Sequence, residues 1–208
     1  MFTACGAKMN LIKLKGYIKD ADFSHEINNI RYGKANLIVP KQNDEEDILT
    51  LVYKEHTNHY SAGDYVELKG NIRSFSRHLD SGKNKVDIYV FTYFDIPKFN
   101  DESQNNEVEL DGRICKMGEL RDYVNGTKSL SFTLANNIFL ENNKKKINNY
   151  LPVVCWEQNA EEISKLSVGD KLIIRGKLHS RTYKKYTNDN LEIKTAHEIV
   201  LEEYEKIE

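Results

Sequence analysis

The chain has 208 residues, 39% of them hydrophobic and 30% charged, and a formal net charge of −2, which is typical of a soluble protein built from small, surface-rich units. This near-neutral balance argues against a protein that holds duplex DNA through bulk positive charge alone. No apolar run approaches the ~18 residues of a membrane span and the N-terminus lacks a signal-peptide pattern, so we expect a cytoplasmic protein without membrane contact.

Five stretches with the alternation of a β-strand precede residue 97. Polar turns separate them, among them a proline-containing acidic loop at residues 40–47 and an Asp-Ser-Gly turn before the last strand. The strands are predicted at residues 11–18, 34–39, 48–54, 65–76 and 86–94.

The pattern begins again after residues 97–106, a polar segment with the composition of a linker. The motif Leu-x-Gly-x-Ile at Leu14 returns at Leu110, and residues 63–74 (GDYVELKGNIRS) return at 169–180 as GDKLIIRGKLHS. In that second pair of segments four positions are identical and four more are conservative exchanges. These repeats predict a duplicated domain. The predicted units are an N-terminal unit at residues 10–96 and a C-terminal unit at residues 107–202.

Each unit is predicted to be an all-β, five-stranded OB-fold barrel with a short helix between its third and fourth strands. The helical pattern is clearest in the C-terminal unit, where Ala160, Ile163 and Leu166 recur at three-residue spacing. Five strands with one helix in this place are the order of the OB-fold; the alternative, an SH3-like barrel, lacks the helix. Mid-strand glycines fit the bends and close backbone approaches of a small barrel. They are Gly16, Gly70, Gly112 and Gly176.

The C-terminal unit places aromatic rings and cations in the same outward rows. In the strand at residues 150–156, Tyr150 and Trp156 lie in the row opposite the apolar one. Residues 113–185 carry 14 Lys and Arg against 7 Asp and Glu. Rings beside cations are typical of a surface for single-stranded nucleic acid, because bases stack on the rings while cations contact phosphates. The outer row of the strand after the helix contains Lys177, His179, Arg181 and Tyr183, followed by Lys184.

Short motifs follow one another through the C-terminal unit. They are Leu-x-Gly-Arg-Ile at 110–114, Glu-Leu-Arg at 119–121, Asn-Gly at 125–126, Ser-Phe-Thr-Leu-Ala at 131–135, Val-Val-Cys-Trp at 153–156, Ala-Glu at 160–161, Gly-Asp at 169–170, Gly-Lys-Leu at 176–178 and Ser-Arg-Thr-Tyr at 180–183. In this order and spacing they resemble the bacterial and phage single-stranded DNA-binding protein family over about residues 107–201. The resemblance implies nonspecific binding of single-stranded DNA in replication, recombination or transfer of a mobile element.

The resemblance also implies roles for individual residues. The base-stacking aromatics of the family fall at Tyr150, Trp156 and Tyr183, with Phe139 close to another stacking position, and its backbone-contacting arginines fall at Arg121 and Arg181. Lys144 and Lys145, in a loop between strands, are expected to contact phosphates. In the N-terminal unit Lys54 stands where Trp156 stands in the other, and the outer row is represented by Arg73, Phe75 and Arg77.

Assembly and partners are expected from the same resemblance. The family usually works as a tetramer with one barrel per subunit, so a homodimer of this chain would supply four barrels. Family members usually end in a flexible tail with an acidic tip that recruits replication enzymes; the ending EEYEKIE has neither spacer nor apolar tip, which puts that recruitment in doubt. Two other functions use the same face: an RNA-binding OB module, and a protein–protein adaptor whose aromatics form an interface core.

Catalytic and metal sites are not expected. His56 and His59 are the only close histidine pair and lack further ligands at matching spacing, and no phosphate loop or catalytic triad is present. The chain therefore reads as a non-enzyme without a cofactor. Its cysteines, Cys5, Cys115 and Cys155, form no C-x-x-C pair; this favours a reducing compartment, with the latter two as small core residues.

Overall fold

The computed structural model describes residues 9–41, 44–78, 84–95, 104–140, 145–187 and 190–207. Within these ranges the chain is almost entirely β, as predicted, and no helix has the length and hydropathy needed to cross a bilayer. The strands are β1 (Asn10–Ile27), β2 (Ile30–Pro40), β3 (Glu46–Lys54), β4 (Tyr65–His78), β5 (Asn84–Asp95), β6 (Asn106–Met117), β7 (Arg121–Asp122), β8 (Lys128–Leu140), β9 (Lys145–Trp156), β10 (Lys171–Thr187) and β11 (Asn190–Ile207), and the helix α1 (Glu157–Ile163) follows β9.

The first five strands pair in a ring. β1 pairs with β2 and β4, β2 with β3, and β5 with both β3 and β4; all pairs are antiparallel except β3 with β5. Strands β6, β8, β9, β11 and β10 pair in the same cyclic order, with β9 parallel to β11 and β7 attached to β8. An antiparallel seam between β1 and β6 joins both rings into one eleven-stranded sheet.

The core of each ring is built from the inward rows of its strands. Leu151, Val153 and Cys155 are at most 1% exposed, as the alternation in β9 predicts. Burying such side chains contributes about 1.5–3 kcal/mol each, so the rows that alternate in the sequence hold the rings together. The largest buried side chains include Ile12, Leu14, Leu37, Leu49, Leu51 and Leu68 in the first ring and Leu110, Ile114, Leu130, Leu134, Leu151 and Leu172 in the second.

Glycines stand where two strands approach too closely for a side chain. A Cβ added at Gly16 would lie 2.1 Å from the carbonyl oxygen of Ile38, and one added at Gly176 would lie 2.1 Å from that of Val200. At Gly176 the register of β10 against β11 also shifts. The close approach predicted for these mid-strand glycines is therefore present.

The same hydrogen bonds recur before the fourth strand of each ring. The amide N–H of Gly63 donates to the carbonyl oxygen of Ile18, and that of Gly169 donates to Ile114, both at 2.8 Å. Both glycines have positive φ, 91° and 103°, a conformation that glycine adopts readily. The repeated Gly-Asp turns of the sequence thus make equivalent contacts in the two rings.

The helix predicted for the N-terminal unit is absent, and that prediction was wrong. Residues 55–64 form turns and irregular backbone, whereas the equivalent segment of the other unit contains α1. In the C-terminal unit Ala160 and Ile163 are fully buried on one side of the helix. In the N-terminal unit the buried rings of Tyr53 and Tyr60 meet edge to face, 4.7 Å apart. A loop can present one large ring, so no amphipathic helix is required there.

Cys115 is exposed, so its prediction as a core residue was also wrong, while Cys155 is fully buried. The register of β6 against β8 shifts between Ile114 and Lys116. The buried row of β6 is Val108, Leu110, Gly112 and Ile114, so alternation along the strand places Cys115 in the outward row.

Candidate nucleic-acid interface

Two exposed aromatic rings form a stacked pair at the end of β9. Trp156 is 42% exposed and Tyr123 is 44% exposed; their ring centroids lie 6.3 Å apart with an interplanar angle of 28°. The hydroxyl groups of Tyr123 and Ser129 are hydrogen-bonded at 3.2 Å. This bond, and a smaller effect of Arg121, lower the pKa of Tyr123. We call the surface formed by Arg121, Tyr123 and Trp156 the Trp156 patch.

Neighbouring strands hold the patch together. Arg121 in β7 stands opposite Ser129 in β8, and Ser129 stands opposite Trp156 in β9. Neighbouring strands lie about 4.8 Å apart, so this register places the exposed Arg121 two strands from the indole. Tyr150, 46% exposed, lies in the same outward row of β9 as Trp156. A cation and three rings thus share one face of the C-terminal unit.

A second surface is a groove of about 1740 Å³ lined by residues of both units, which we call the shared groove. Five residues singled out in the sequence line it: Arg73, Phe75 and Arg77 from β4, and Arg181 and Tyr183 from β10. Phe75 is 57% exposed and Tyr183 is 36% exposed. The structure therefore brings the outer rows of the two units together, although these residues are about a hundred positions apart in the chain.

Flat side chains follow one another along the N-terminal wall of the shared groove. The Arg73 guanidinium carbon lies 3.8 Å from the ring centroid of Phe91. The Phe91 ring lies 6.3 Å from that of Tyr32, and Tyr32 stacks on His25 at 4.8 Å with an interplanar angle of 8°. All four residues line the groove. In this succession, the planar row, Phe91 is buried beneath Arg73, whereas Tyr32 is partly exposed and His25 is exposed. The accessible rings of the row are therefore those of Tyr32 and His25.

Several cations of the groove are balanced by carboxylates. Asp87 accepts from Arg77 and lies 2.8 Å from the ammonium of Lys85. Burial alone would raise the pKa of Asp87, but the hydrogen bonds from Lys85 and Arg77 hold it below its ordinary value. Arg181, which is exposed, lies 3.8 Å from Glu198. These exposed pairs can exchange a carboxylate for a phosphate at small cost, because surface ion pairs contribute little.

Two of the candidate residues selected from the sequence are already bonded to carboxylates of the protein itself. The Lys177 ammonium lies 2.8 Å from a carboxylate oxygen of Glu202. Nδ1 of His179 lies 2.6 Å from Oδ2 of the fully buried Asp47, across the boundary between the two units. Burial would raise the pKa of Asp47, but hydrogen bonds from His179 and from the Ser180 N–H, together with Lys41, lower it.

The contacts between the units follow an approximate two-fold pattern. The Ser180 N–H donates to Asp47 at 2.7 Å, and the Ser74 N–H donates to the amide oxygen of Asn149 at 3.1 Å. In turn the hydroxyls of Ser180 and Ser74 accept from the Ile48 and Tyr150 N–H groups. The two serines are identical positions of the sequence repeat, so the repeat also determines how the units meet.

The described residues include only some of the remaining candidate side chains. Lys184 is exposed in β10 just beyond Tyr183. Phe139 belongs to β8 and Lys145 begins β9. The side chains of Phe139 and Lys145, and the whole of Lys144, lie outside the described residues.

Sequence reasoning missed Tyr123, Tyr32 and Phe91. Tyr123 follows Arg121 and precedes the Asn-Gly turn, and its position beside the selected arginine was the available signal. Tyr32 was missed because the second strand was predicted to begin at Lys34, whereas β2 begins at Ile30. An earlier start places Tyr32 and Lys34 in one outward row.

Among the residues described, no three His, Cys, Asp or Glu side chains lie close enough together to hold a metal ion. Cations and aromatic rings are the groups that the two surfaces share. The arrangement provides stacking faces and phosphate partners, the two elements of single-strand recognition.

Comparison with known proteins agrees with this geometry. Residues 105–207 match the model of the Single-strand binding protein family. The wild-type single-stranded DNA binding protein from Thermus aquaticus is 18% identical, with a TM-score of 0.72 over 98% of this chain and 95% of that one; a deletion mutant of the same protein gives 0.71 over 96% and 95%, at the same 18% identity. No curated protein sequence is significantly similar to this chain.

A third solved structure, the Plasmodium falciparum SSB complex with ssDNA, is 26% identical and covers 53% of this chain and 100% of that one, with a TM-score of 0.43. The likeness to the Thermus protein shows a common fold across nearly the whole chain, including the N-terminal unit that the family model does not match. Through residues 105–207, this protein belongs to the single-strand binding protein family.

Proposed function

We propose that the protein is a pair of tandem OB-fold barrels, residues 10–96 and 107–202 joined by a linker, that bind single-stranded DNA with little sequence preference. Family membership of residues 105–207 is the observation that supports single-stranded DNA as the ligand. The cyclic pairing in each ring supports the two barrels, and the equivalent turn contacts support a duplication. Stacking and phosphate contacts account for binding without a catalytic step, in replication, recombination or transfer of a mobile element.

The Trp156 patch is the proposed anchor. Stacking on aromatic side chains is sequence-tolerant because every base has a flat face. Trp156 and Tyr123 offer adjacent exposed rings, and Tyr150 lies six positions before Trp156 in the same row. Six residues of strand span roughly 20 Å, so the row reaches beyond a single base.

The DNA strand is proposed to continue from this patch into the shared groove. Pro152 lies between Tyr150 and Trp156 in the outward row of β9 and also lines the groove. From there Tyr183 and Phe75 would continue the stacking surface across the boundary between the units. The N-terminal unit then extends the track, although Lys54 occupies the position equivalent to Trp156.

Phosphates are proposed to contact the exposed cations along this path. The phosphate contacts predicted for Lys144, Lys145 and Lys177 are part of the same proposal. Arg121, Lys34, Arg181 and Lys184 are exposed, and Arg77 is already paired with a carboxylate. Each phosphate contact releases counterions, so the logarithm of the binding constant should fall with the logarithm of salt concentration by about 0.7 per contact. A lack of any nucleic-acid binding, together with a protein interaction that does not depend on salt concentration, would favour the adaptor function instead.

Fluorescence titration of Trp156 with oligo-dT tests the proposal directly. Trp156 is the chain's only tryptophan, so the signal reports on the patch alone. We expect quenching at low salt and a loss of affinity in Trp156→Ala, measured by anisotropy of a labelled oligonucleotide. The general magnitude for single-strand binding proteins is ~1–3 kcal/mol per stacked base, or roughly five- to 150-fold.

Tyr17→Ala is the matched control. Tyr17 is 50% exposed, packs edge-on against Tyr65 and does not line the shared groove. It should bind oligo-dT like the wild-type protein. Absence of quenching, together with wild-type affinity in Trp156→Ala, would refute the proposed anchor, and stronger competition by oligo-U than by oligo-dT would assign the site to RNA.

Self-association into a homodimer with four barrels is part of the proposal. The tetramer with one barrel per subunit that is usual in the family supports it. Sedimentation with and without a long oligonucleotide tests it. One protein chain per particle at micromolar concentration in both conditions would exclude the dimer. A cytoplasmic location remains a prediction, supported by the unpaired thiols of Cys115 and Cys155.

A further inference from the structure

One cation of the shared groove differs from the others because it is buried and one of its guanidinium N–H groups has no acceptor among the described residues. Arg73 is only 9% exposed, and its buried Nε has no hydrogen-bond partner. Within the described part of the chain no carboxylate lies at ion-pair distance from it, whereas Arg77, two residues along β4, is paired with Asp87. A guanidinium stays protonated in proteins, and a buried charge is costly unless it is paired. Its donors are therefore placed for a ligand.

The surroundings of Arg73 favour a base over a phosphate. The guanidinium lies on the face of Phe91, and Tyr32 and His25 continue the planar row. A base fits such an aromatic wall, while a phosphate retains its hydration more easily at exposed cations, of which the groove offers Lys34 and Arg181. A base stacked on the row would bring its hydrogen-bonding edge toward the guanidinium.

The chemistry of the guanidinium selects among the bases. Arginine has five N–H donors and no acceptor, so it prefers an edge that presents two neighbouring acceptors. Guanine presents O6 and N7 in this way, and the bidentate pair of arginine with this edge is the commonest specific contact in DNA recognition. Adenine places a donor beside N7, and thymine offers no adjacent pair of acceptors. Unpaired cytosine presents N3 and O2 as neighbouring acceptors, so it is the competitor that a dC probe has to separate from guanine.

We propose that Arg73 and Phe91 form a guanine-selective subsite on an otherwise sequence-indifferent track. This inference rests on the proposed binding of single-stranded DNA and adds a preference that the family resemblance does not supply. One guanine in a bound oligonucleotide would occupy the planar row, with O6 and N7 accepting from Arg73. The N-terminal unit would then set the register in which the protein sits on a strand.

Competition between synthetic oligonucleotides tests the subsite with the wild-type protein. The probes are oligo-dT and the same length with one central dG, dC, dA or 7-deaza-dG. We expect the dG probe to bind about tenfold more tightly than oligo-dT, as one bidentate contact allows. The 7-deaza-dG probe lacks the N7 acceptor and should lose most of that gain. Equal affinity of the dG and 7-deaza-dG probes, or a stronger preference for dC or dA, would overturn the assignment.

Two variants separate base reading from charge. Arg73→Lys keeps the positive charge but removes the planar fork, so the ratio of the affinity for the dG probe to that for oligo-dT should fall to about one. Arg77→Lys is the matched control on the same strand and should keep the preference. A preference retained in Arg73→Lys would contradict the subsite. Failure of the wild-type protein to bind oligo-dT at all would instead refute the proposed function, so the two failures are distinguishable.

Discussion

At the scale of single residues, the tyrosine beside the tryptophan presents a second exposed ring. Tyr123 stacks beside Trp156 and is tethered by its hydroxyl to Ser129. We predict that Tyr123→Ala lowers affinity for oligo-dT about tenfold, because one stacking face is lost. Tyr123→Phe keeps the ring and should bind within about twofold of the wild-type protein, as measured by anisotropy of a labelled oligonucleotide. Equal losses in both variants would show that the hydroxyl, not the ring, is required.

The planar row brings together rings from strands that are not neighbours in the sheet. Tyr32 and Phe91 belong to β2 and β5, which do not pair with each other but both pair with β3. Their rings approach to 6.3 Å only because the intervening strand places both on one face. The N-terminal unit thus contains neighbouring aromatic rings at positions other than the one held by Lys54.

At the scale of elements, closure of each ring depends on strands that approach without side chains between them. In β10 a Cβ at Gly176 would lie 2.1 Å from the Val200 oxygen, which is backbone and cannot move aside. We predict that Gly176→Ala destabilises the fold by about 1–3 kcal/mol, measured by urea denaturation. The neighbouring Lys177→Ala removes only a partly exposed ion pair and should change stability by less than about 0.5–1 kcal/mol. Comparable losses of unfolding free energy in the two variants would contradict a close backbone approach at Gly176.

The helix shows that one element can be replaced by a loop. α1 buries Ala160 and Ile163, while the N-terminal unit buries Tyr60 from irregular backbone at the equivalent place. What the ring requires there is apolar volume, and the local sequence decides which structure supplies it. Spacing at three residues was therefore informative in EQNAEEISKL and absent from HTNHYSAGD.

At the scale of the whole molecule, polar contacts join the two units, and one of these contacts involves a titratable imidazole. The Nε2 atom of His197 lies 2.9 Å from the carbonyl oxygen of Ile48 in the other unit. Burial lowers the pKa of His197 below 6.5, although the Ile48 carbonyl and the carboxylates of Asp47 and Asp87 act in the opposite direction. The neutral ring is thus the form that the folded protein favours.

This shift predicts that stability falls in mild acid. Below about pH 6.5 the unfolded chain binds a proton at His197 that the folded protein does not, so stability is lost as the pH drops toward the lower folded-state pKa. Above pH 6.5 the contribution is fully present. Urea denaturation at pH 7.5 and 5.5 should show a smaller difference between the two pH values for His197→Gln than for the wild-type protein, because the amide can donate to Ile48 but does not titrate. An unchanged difference would show that His197 titrates alike in both states.

The sequence by itself determined the all-β class, the inward rows, the repeat and the family of the C-terminal half. These are local or periodic properties: burial enforces alternation along a strand, and the order and spacing of the motifs in residues 110–183 can be read without knowing what packs on them. It also identified Trp156 and Tyr150 as outward, because Leu151, Val153 and Cys155 occupy the opposite row. The resemblance added the ligand class.

Only the tertiary structure decided the shape of the surface. The groove exists because β1 pairs with β6 and the two units meet through Asp47, Ser180 and their counterparts. His179 and Asp47 are 132 positions apart, so nothing in the outward row of β10 could show that the imidazole faces the other unit. Likewise Arg73 stacks on Phe91 through a register between strands, which the order of residues along the chain does not specify.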